Sequence, residues 1–130
     1  RSVRESGHDT SYRLENRCAN LLCVDLNTFL YKYEKDFSFL IKNYFNNKIE
    51  TDKGKIYTSA DWDSKAERRK QLMFDYLWNE EEGIYYDYDF VEQKQISFVS
   101  ATSILPLWAE IPNELQAKKM IDLSLPKLVC

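Results

Sequence analysis

The sequence has no apolar run approaching the roughly 20 residues that span a bilayer, so no membrane partner is expected. It also lacks a basic cluster free of interleaved acids. Its 18 Lys and Arg are outnumbered by 21 Asp and Glu, and the densest basic group, Arg68-Arg69-Lys70, closely follows Asp61, Asp63 and Glu67. That pattern reads as the solvated face of a helix, and no nucleic-acid partner is expected. Cysteine and histidine are scarce. Cys18, Cys23 and Cys130 are an odd number without metal-ligand spacing, and His8 stands alone. A disulfide framework, a metal site and a cofactor are therefore not expected, and unpaired thiols point to a reducing compartment. No Ser-x-Gly elbow and no second His exists from which to build a nucleophile and its base. An initiator Met and a signal-peptide pattern are absent too, and neither end resembles a natural terminus. The expectation is a piece of a longer protein.

What the chain has in quantity is aromatic surface: nine Tyr, seven Phe and three Trp. Most of these rings are expected in the core, and the remainder could form the flat walls on which sugars stack. Leu26, Phe29, Leu30, Tyr33, Phe37, Leu40, Ile41, Tyr44 and Phe45 recur at spacings of three and four, which predicts a long helix with one apolar face. Asp25 is the predicted N-cap, and Asn46-Asn47 ends the helix. Ser59 is the predicted cap of a second helix, with Trp62, Ala66, Met73, Tyr76 and Leu77 on one face. Residues 78–83 read as a stop and turn, and 84–89 as a short β-like segment. A third helix is predicted from near Ser100 to Trp108, disturbed or ended at Pro106. A fourth is predicted from Pro112, with Leu115, Met120, Ile121 and Leu125 inward, and Pro126 stops it. The fold class is thus all-α apart from 84–89. Its aromatic faces exceed what four helices can bury among themselves, so exposed apolar patches and a sticky product are expected of these 130 residues alone.

The chemistry-bearing segment is Arg4-Glu5-Ser6-Gly7-His8-Asp9-Thr10-Ser11-Tyr12-Arg13. It gathers two acids, the single His and a Gly just before the apolar periodicity begins. Gly7 permits a close backbone approach that a side chain would forbid, which makes Asp9 a candidate for presentation toward a ligand. Read by itself the segment equally suits a charged surface loop, and the chain would then be a non-catalytic helical interaction module.

Residues 4–13 resemble the active-site loop of the trehalase family, glycoside hydrolases that cleave the α,α-1,1 bond of trehalose. The His8-Asp9-Thr10 form is similar to that of the fungal neutral members. The resemblance continues through Val24-Asp25-Leu26-Asn27, Leu30-Tyr31-Lys32-Tyr33-Glu34, Tyr76-Leu77-Trp78, Gly83, Asp87-Tyr88, Ser100-Ala101-Thr102 and Leu107-Trp108. It implies that residues 1–130 are the central part of a catalytic domain folded as an (α/α)6 toroid, a choice over a simple bundle that periodicity alone does not make. It implies trehalose as the substrate, Asp9 as the general acid, and Arg4 and Gly7 as sugar contacts. Glu5, His8 and Arg13 are implied as supports of the loop. An inverting glycosidase needs a second carboxylate, roughly 6.5–9.5 Å from the first, to activate water. In the family that base lies beyond the end of this chain, as do its Pro-Gly-Gly-Arg and Gln-Trp-Asp signatures beyond one end or the other. The remainder of the catalytic domain is the implied partner, and this piece is expected to be inactive alone.

Overall fold

The computed structural model describes residues 12–14 and 17–128. In chain order the elements are β1 (Leu21–Leu22), α1 (Val24–Tyr44), β2 (Ile49–Glu50), β3 (Ile56–Tyr57), α2 (Ser59–Leu77), β4 (Trp78–Asn79), β5 (Ile84–Tyr85), β6 (Asp87–Asp89), β7 (Lys94–Ile96), α3 (Leu105–Trp108) and α4 (Glu114–Lys119). Two long helices packed side by side form the frame. The small sheets clasp their ends, so the fold is mostly helical with three small sheets rather than all-α. β1, β6 and β7 form an antiparallel trio, with Leu21 opposite Asp89 and Asp87 opposite Ile96. β2–β3 and β4–β5 are hairpins.

Helix α1 starts and ends near its predicted limits, but its cap differs. Cys23 occupies the N-cap position without a side-chain hydrogen bond. The Val24 amide instead donates to Asp87 Oδ1 at 2.9 Å, so an acceptor 63 residues away caps the helix. Asp25 lies within the first turn, where its carboxylate accepts the Leu26 amide at 2.8 Å and also the guanidinium of the buried Arg13. The left-handed backbone of Asn46 and Asn47 (φ 51° and 57°) terminates the helix, a conformation Asn tolerates better than most residues.

Helix α2 is capped by Thr58, one residue before the predicted Ser59. Thr58 has an acid three residues on, Asp61, which closes a reciprocal capping box with the Thr58 amide at 2.7 Å. Ser59 would have Trp62 in that place. Of the predicted apolar face, Ala66, Met73 and Leu77 are buried, whereas Tyr76 is exposed.

After α2 the β4–β5 hairpin turns through Gly83, whose φ of +61° suits glycine. A Cβ there would meet the Lys119 backbone carbonyl carbon at 3.2 Å, so the turn also needs glycine to admit α4. Ser100 caps a 3-10 turn, Ala101–Ile104, that runs into α3. Pro106 neither ends nor disturbs α3, because it lies in the first turn, where its missing N–H has no intrahelical partner to lose. The fourth helix, α4, begins at Glu114 rather than at Pro112, behind Asn113, which caps it in a reciprocal pair with Gln116. A π turn (Met120–Ser124) and a 3-10 turn (Leu125–Lys127) follow, and Pro126 sits inside the latter.

The core gathers Val24, Tyr31, Ala66, Met73, Leu77, Trp78, Tyr85, Ala109, Ile111 and Met120. Two predicted inward faces are corrected by it. On α1, Ile41 is buried, but Leu26, Phe29, Tyr33, Phe37, Leu40, Tyr44 and Phe45 are exposed, and Thr28, Glu34 and Ser38 face inward with Val24 and Tyr31. Around α4, Met120 is buried as predicted, while Leu115, Ile121 and Leu125 are exposed and Gln116 and Ser124 are buried. The expected exposed apolar patches are present, and most lie on these outer faces.

Candidate functional site

Asp9, Arg4 and Gly7, the residues that sequence singles out for catalysis and sugar contact, lie outside the described residues, as do Glu5 and His8. The description begins at the end of their loop, in the 3-10 turn Tyr12–Leu14. Arg13 is almost fully buried there, and its guanidinium is held by two carboxylates. Asp87 takes Nε at 2.6 Å and Nη2 at 2.7 Å. Asp25 takes Nη1 at 3.1 Å and Nη2 at 3.2 Å. Burial opposes the guanidinium charge, but the hydrogen bonds and negative charge of Asp87 and then Asp25 outweigh it and hold Arg13 protonated more firmly than an exposed arginine.

Three pieces of chain meet at this cluster. Arg13 closes the loop, Asp25 belongs to the first turn of α1, and Asp87 opens β6. Asp87 satisfies the Val24 amide with the same oxygen that receives Arg13 Nη2. Two residues along β6, Asp89 is fully buried, accepts the Val91 and Glu92 amides at 3.0 Å each, and pairs with Arg17 at 3.4 Å. The alternation of a strand puts both acids on one face, toward the segment that follows the loop. Sequence reasoning reads Asp25 as a cap and Asp87 only as part of the extended 84–89 segment and the family resemblance. The legible signal was two acids at i and i+2 inside an aromatic extended segment, a place where charge needs a partner.

Cys23 adjoins the cluster, and burial, followed by the charges of Asp87 and Asp25, pushes its thiol up to about 12. It stays protonated at neutral pH and is no nucleophile. A second region with acids is an open groove of about 530 Å³ lined by Phe74, Glu80, Asn113, Lys119 and Asp122, among others. Glu80 there is committed: it accepts from Trp78 Nε1 at 2.7 Å and pairs with Lys119, and Lys119 followed by Trp78 lowers its carboxyl below the ordinary range. An acid so held does not deliver protons at neutral pH.

The α1–α2 pair is held by polar bonds on its inner side. Arg69 donates to Glu34 at 2.9 and 3.0 Å and to Asn27 at 2.8 Å, and Lys35 reaches Asp63 at 2.9 Å. Among the described residues no helix is long and apolar enough to cross a membrane.

Comparison with known proteins gives this arrangement its context. The family model described as Trehalase matches residues 1–130. A probable trehalase of Eremothecium gossypii and a cytosolic neutral trehalase of Kluyveromyces lactis are each 48% identical over 128 residues, 98% of this chain and 17% of the relative. The neutral trehalase structure from Saccharomyces cerevisiae superposes with a TM-score of 0.92 at 43% identity, covering 96% of this chain and 23% of that one. A mannosylglycerate hydrolase of glycoside hydrolase family 63 from Thermus thermophilus shares the fold at 18% identity, with a TM-score of 0.65 over 92% of this chain and 26% of that one. The chain spans about 17% of the length of the curated relatives it matches, yet the match is continuous within that span. With a buried Arg13 tying the matching loop to a helix start and a strand, and a family model running from its first residue to its last, this chain belongs to the trehalase family.

Proposed function

We propose that the protein containing these residues is an inverting α,α-trehalase of the cytosol, hydrolysing trehalose to two glucose molecules, and that residues 1–130 are a central segment of its toroidal catalytic domain. The observation that carries this reading is the family match over the whole chain, the loop at 4–13 included. The cytosolic location is supported by similarity to cytosolic neutral trehalases such as that of Kluyveromyces lactis.

In this mechanism Asp9 is the general acid. Its carboxyl proton passes to the bridging oxygen as the bond from that oxygen to C1 breaks. A carboxylate from outside these residues accepts a proton from water, whose oxygen bonds to C1 from the opposite face. Asp9 must be protonated near neutrality, which requires an apolar or anionic surrounding that raises its carboxyl. Arg4 directs its fork of donors to vicinal sugar hydroxyls, and Gly7 lets the backbone approach the ring. With only one of the two carboxyl groups, the segment alone does not turn over substrate.

In the complete enzyme, Asp9→Asn is expected to abolish trehalose turnover while substrate affinity stays near that of the parent. Near-normal hydrolysis by that variant overturns the acid assignment. Inversion has its own signature, read by NMR before the anomers equilibrate. The attacked glucose emerges as β and the leaving glucose as α, in equal amounts, whereas retention gives α alone. The isolated chain incubated with trehalose is expected to release no glucose above background.

A further inference from the structure

We propose that the pocket between helix α1 and the end of α3, formed by Tyr31, Lys32, Lys35, Trp108, Ala109 and Glu110, binds one hexose molecule, and that glucose is the hexose it takes. Only the choice of glucose among hexoses rests on the reaction proposed above, which releases it.

Two elements build the pocket. Tyr31 and Lys35 stand one turn apart on α1, and Trp108 ends α3, with Ala109 and Glu110 directly after it. Phe29 braces the indole edge-on, with ring centroids 6.1 Å apart, yet Trp108 remains 56% exposed. Glu110 has a left-handed backbone, φ 57°, at a helix end where glycine is the unstrained choice. A carboxylate therefore stands at the pocket where the backbone by itself favours no side chain. The cavity holds about 250 Å³. That is below the roughly 300–1,000 Å³ of sites for drug-sized ligands and suits a single sugar ring.

Charge and hydrogen bonding narrow the ligand. Tyr31 is 5% exposed, and its hydroxyl has no hydrogen-bond partner among the described residues. A polar group so buried normally has one. Burial, followed by the charge of Glu67, raises this phenol, while Lys35 opposes the rise and Glu110 adds to it, so the hydroxyl lies near charged groups of the pocket and stays protonated. Lys32 is paired with Asp36 and Lys35 with Asp63, which commits both cations and disfavours an anionic ligand. The same two ammonium groups disfavour a cationic one. Open to a ligand are the Tyr31 hydroxyl, the Glu110 carboxylate and the flat indole of Trp108. A pyranose matches all three. Its C–H face lies on the indole, adjacent hydroxyls donate to Glu110, and a further oxygen accepts from Tyr31.

The test uses the complete enzyme labelled with fluorotryptophan, with the Trp108 resonance assigned from Trp108→Phe. Glucose is expected to shift that fluorine NMR signal saturably, with a midpoint on the order of millimolar for one small ring with few polar contacts. Tyr31→Phe and Glu110→Gln each weaken or remove one contact at nearly constant shape, and each is expected to raise the midpoint about tenfold. Thermal midpoints without sugar establish that the variants are folded, and if one fails to fold the other carries the test. A Trp108 signal that glucose does not move, the outcome when a side chain from the rest of the domain fills the pocket, overturns the proposal. So does a shift that the folded variants leave unchanged, or a response to inorganic phosphate or methylammonium in place of glucose. The readout needs no turnover. An unmoved Trp108 signal in an enzyme that hydrolyses trehalose removes the pocket alone, and an enzyme that leaves trehalose intact overturns the trehalase reading whatever Trp108 does.

Discussion

The two sides of helix α1 make an instructive pair. Its inner side carries Thr28 and Glu34, 0% and 8% exposed, while its outer side carries Leu26 and Tyr33, 57% and 59% exposed. Burial here is inverted relative to hydrophobicity, and both halves have a physical account. The inner polar groups are satisfied: Thr28 donates to the Val24 carbonyl at 2.7 Å, Glu34 receives Arg69, and Asp25 receives Arg13. Buried polar atoms with partners cost little, so the helix pair closes on them. The outer side is a stripe of large apolar groups that, among the described residues, has only contacts such as Phe29 with Trp108 and Phe37 with Trp62. A face of that kind is a helix surface prepared for a further layer. The comparison teaches that an apolar stripe identifies a helix without saying which neighbour it meets.

The largest test of this contrast strikes the outer side. Leu26, Tyr33 and Leu40 changed together to Gln are expected to cost the complete enzyme about 5–9 kcal/mol, at about 1.5–3 kcal/mol for each side chain buried there. In the isolated chain the same change should suppress concentration-dependent association, measured by sedimentation velocity. No loss in the complete enzyme would mean that the face stays open to water.

On the inner side, Arg69→Ala leaves Glu34 and Asn27 without their partner and is expected to cost about 2–4 kcal/mol in urea unfolding. The paired change Glu34→Leu with Arg69→Met should recover most of that loss. Failure to recover would mean that the pair contributes more than mutual satisfaction.

A smaller effect sharpens the same point around α4, where Gln116 faces inward and Leu115 outward. Asn113→Ala removes the cap that Gln116 reciprocates and is expected to lower stability by about 1 kcal/mol, read as a shift in the thermal midpoint. Gln116 Nε2 has no partner among the described residues, so this inner position is less well satisfied than those of α1.

The smallest effect is chemical. The Cys23 thiol is raised from 9.0 to about 12, so it carries less thiolate at pH 8 than an ordinary thiol does. Its alkylation should be at least roughly tenfold slower than that of an exposed thiol, and it should speed up as pH rises toward the shifted value. Rapid labelling at pH 8 would show that the start of α1 opens.

Local signals in this chain translated well into local structure. The three-and-four spacing of α1, the left-handed Asn pair that stops it, the turn at Gly83 and the extended 84–89 segment all depend on neighbours in sequence. Caps were legible to within a residue or two. Ser59 lost to Thr58 because Asp61 completes the box from there, and α4 begins two residues after Pro112 because Asn113 and Gln116 cap it reciprocally. The loop at 4–13 was legible as a family motif, while the cluster holding its end was not. Arg13, Asp25 and Asp87 are 12 and 62 residues apart along the chain, and nothing local marks them as partners.

The sequence by itself determined the two long helices, their approximate limits and the family, because hydrogen-bonding periodicity and turn chemistry act over a few residues. Tertiary structure alone decided which side of each helix is buried and which charges meet. Those outcomes depend on where a surface or a countercharge from a distant segment arrives, and a buried carboxylate accepts whichever donor gets there.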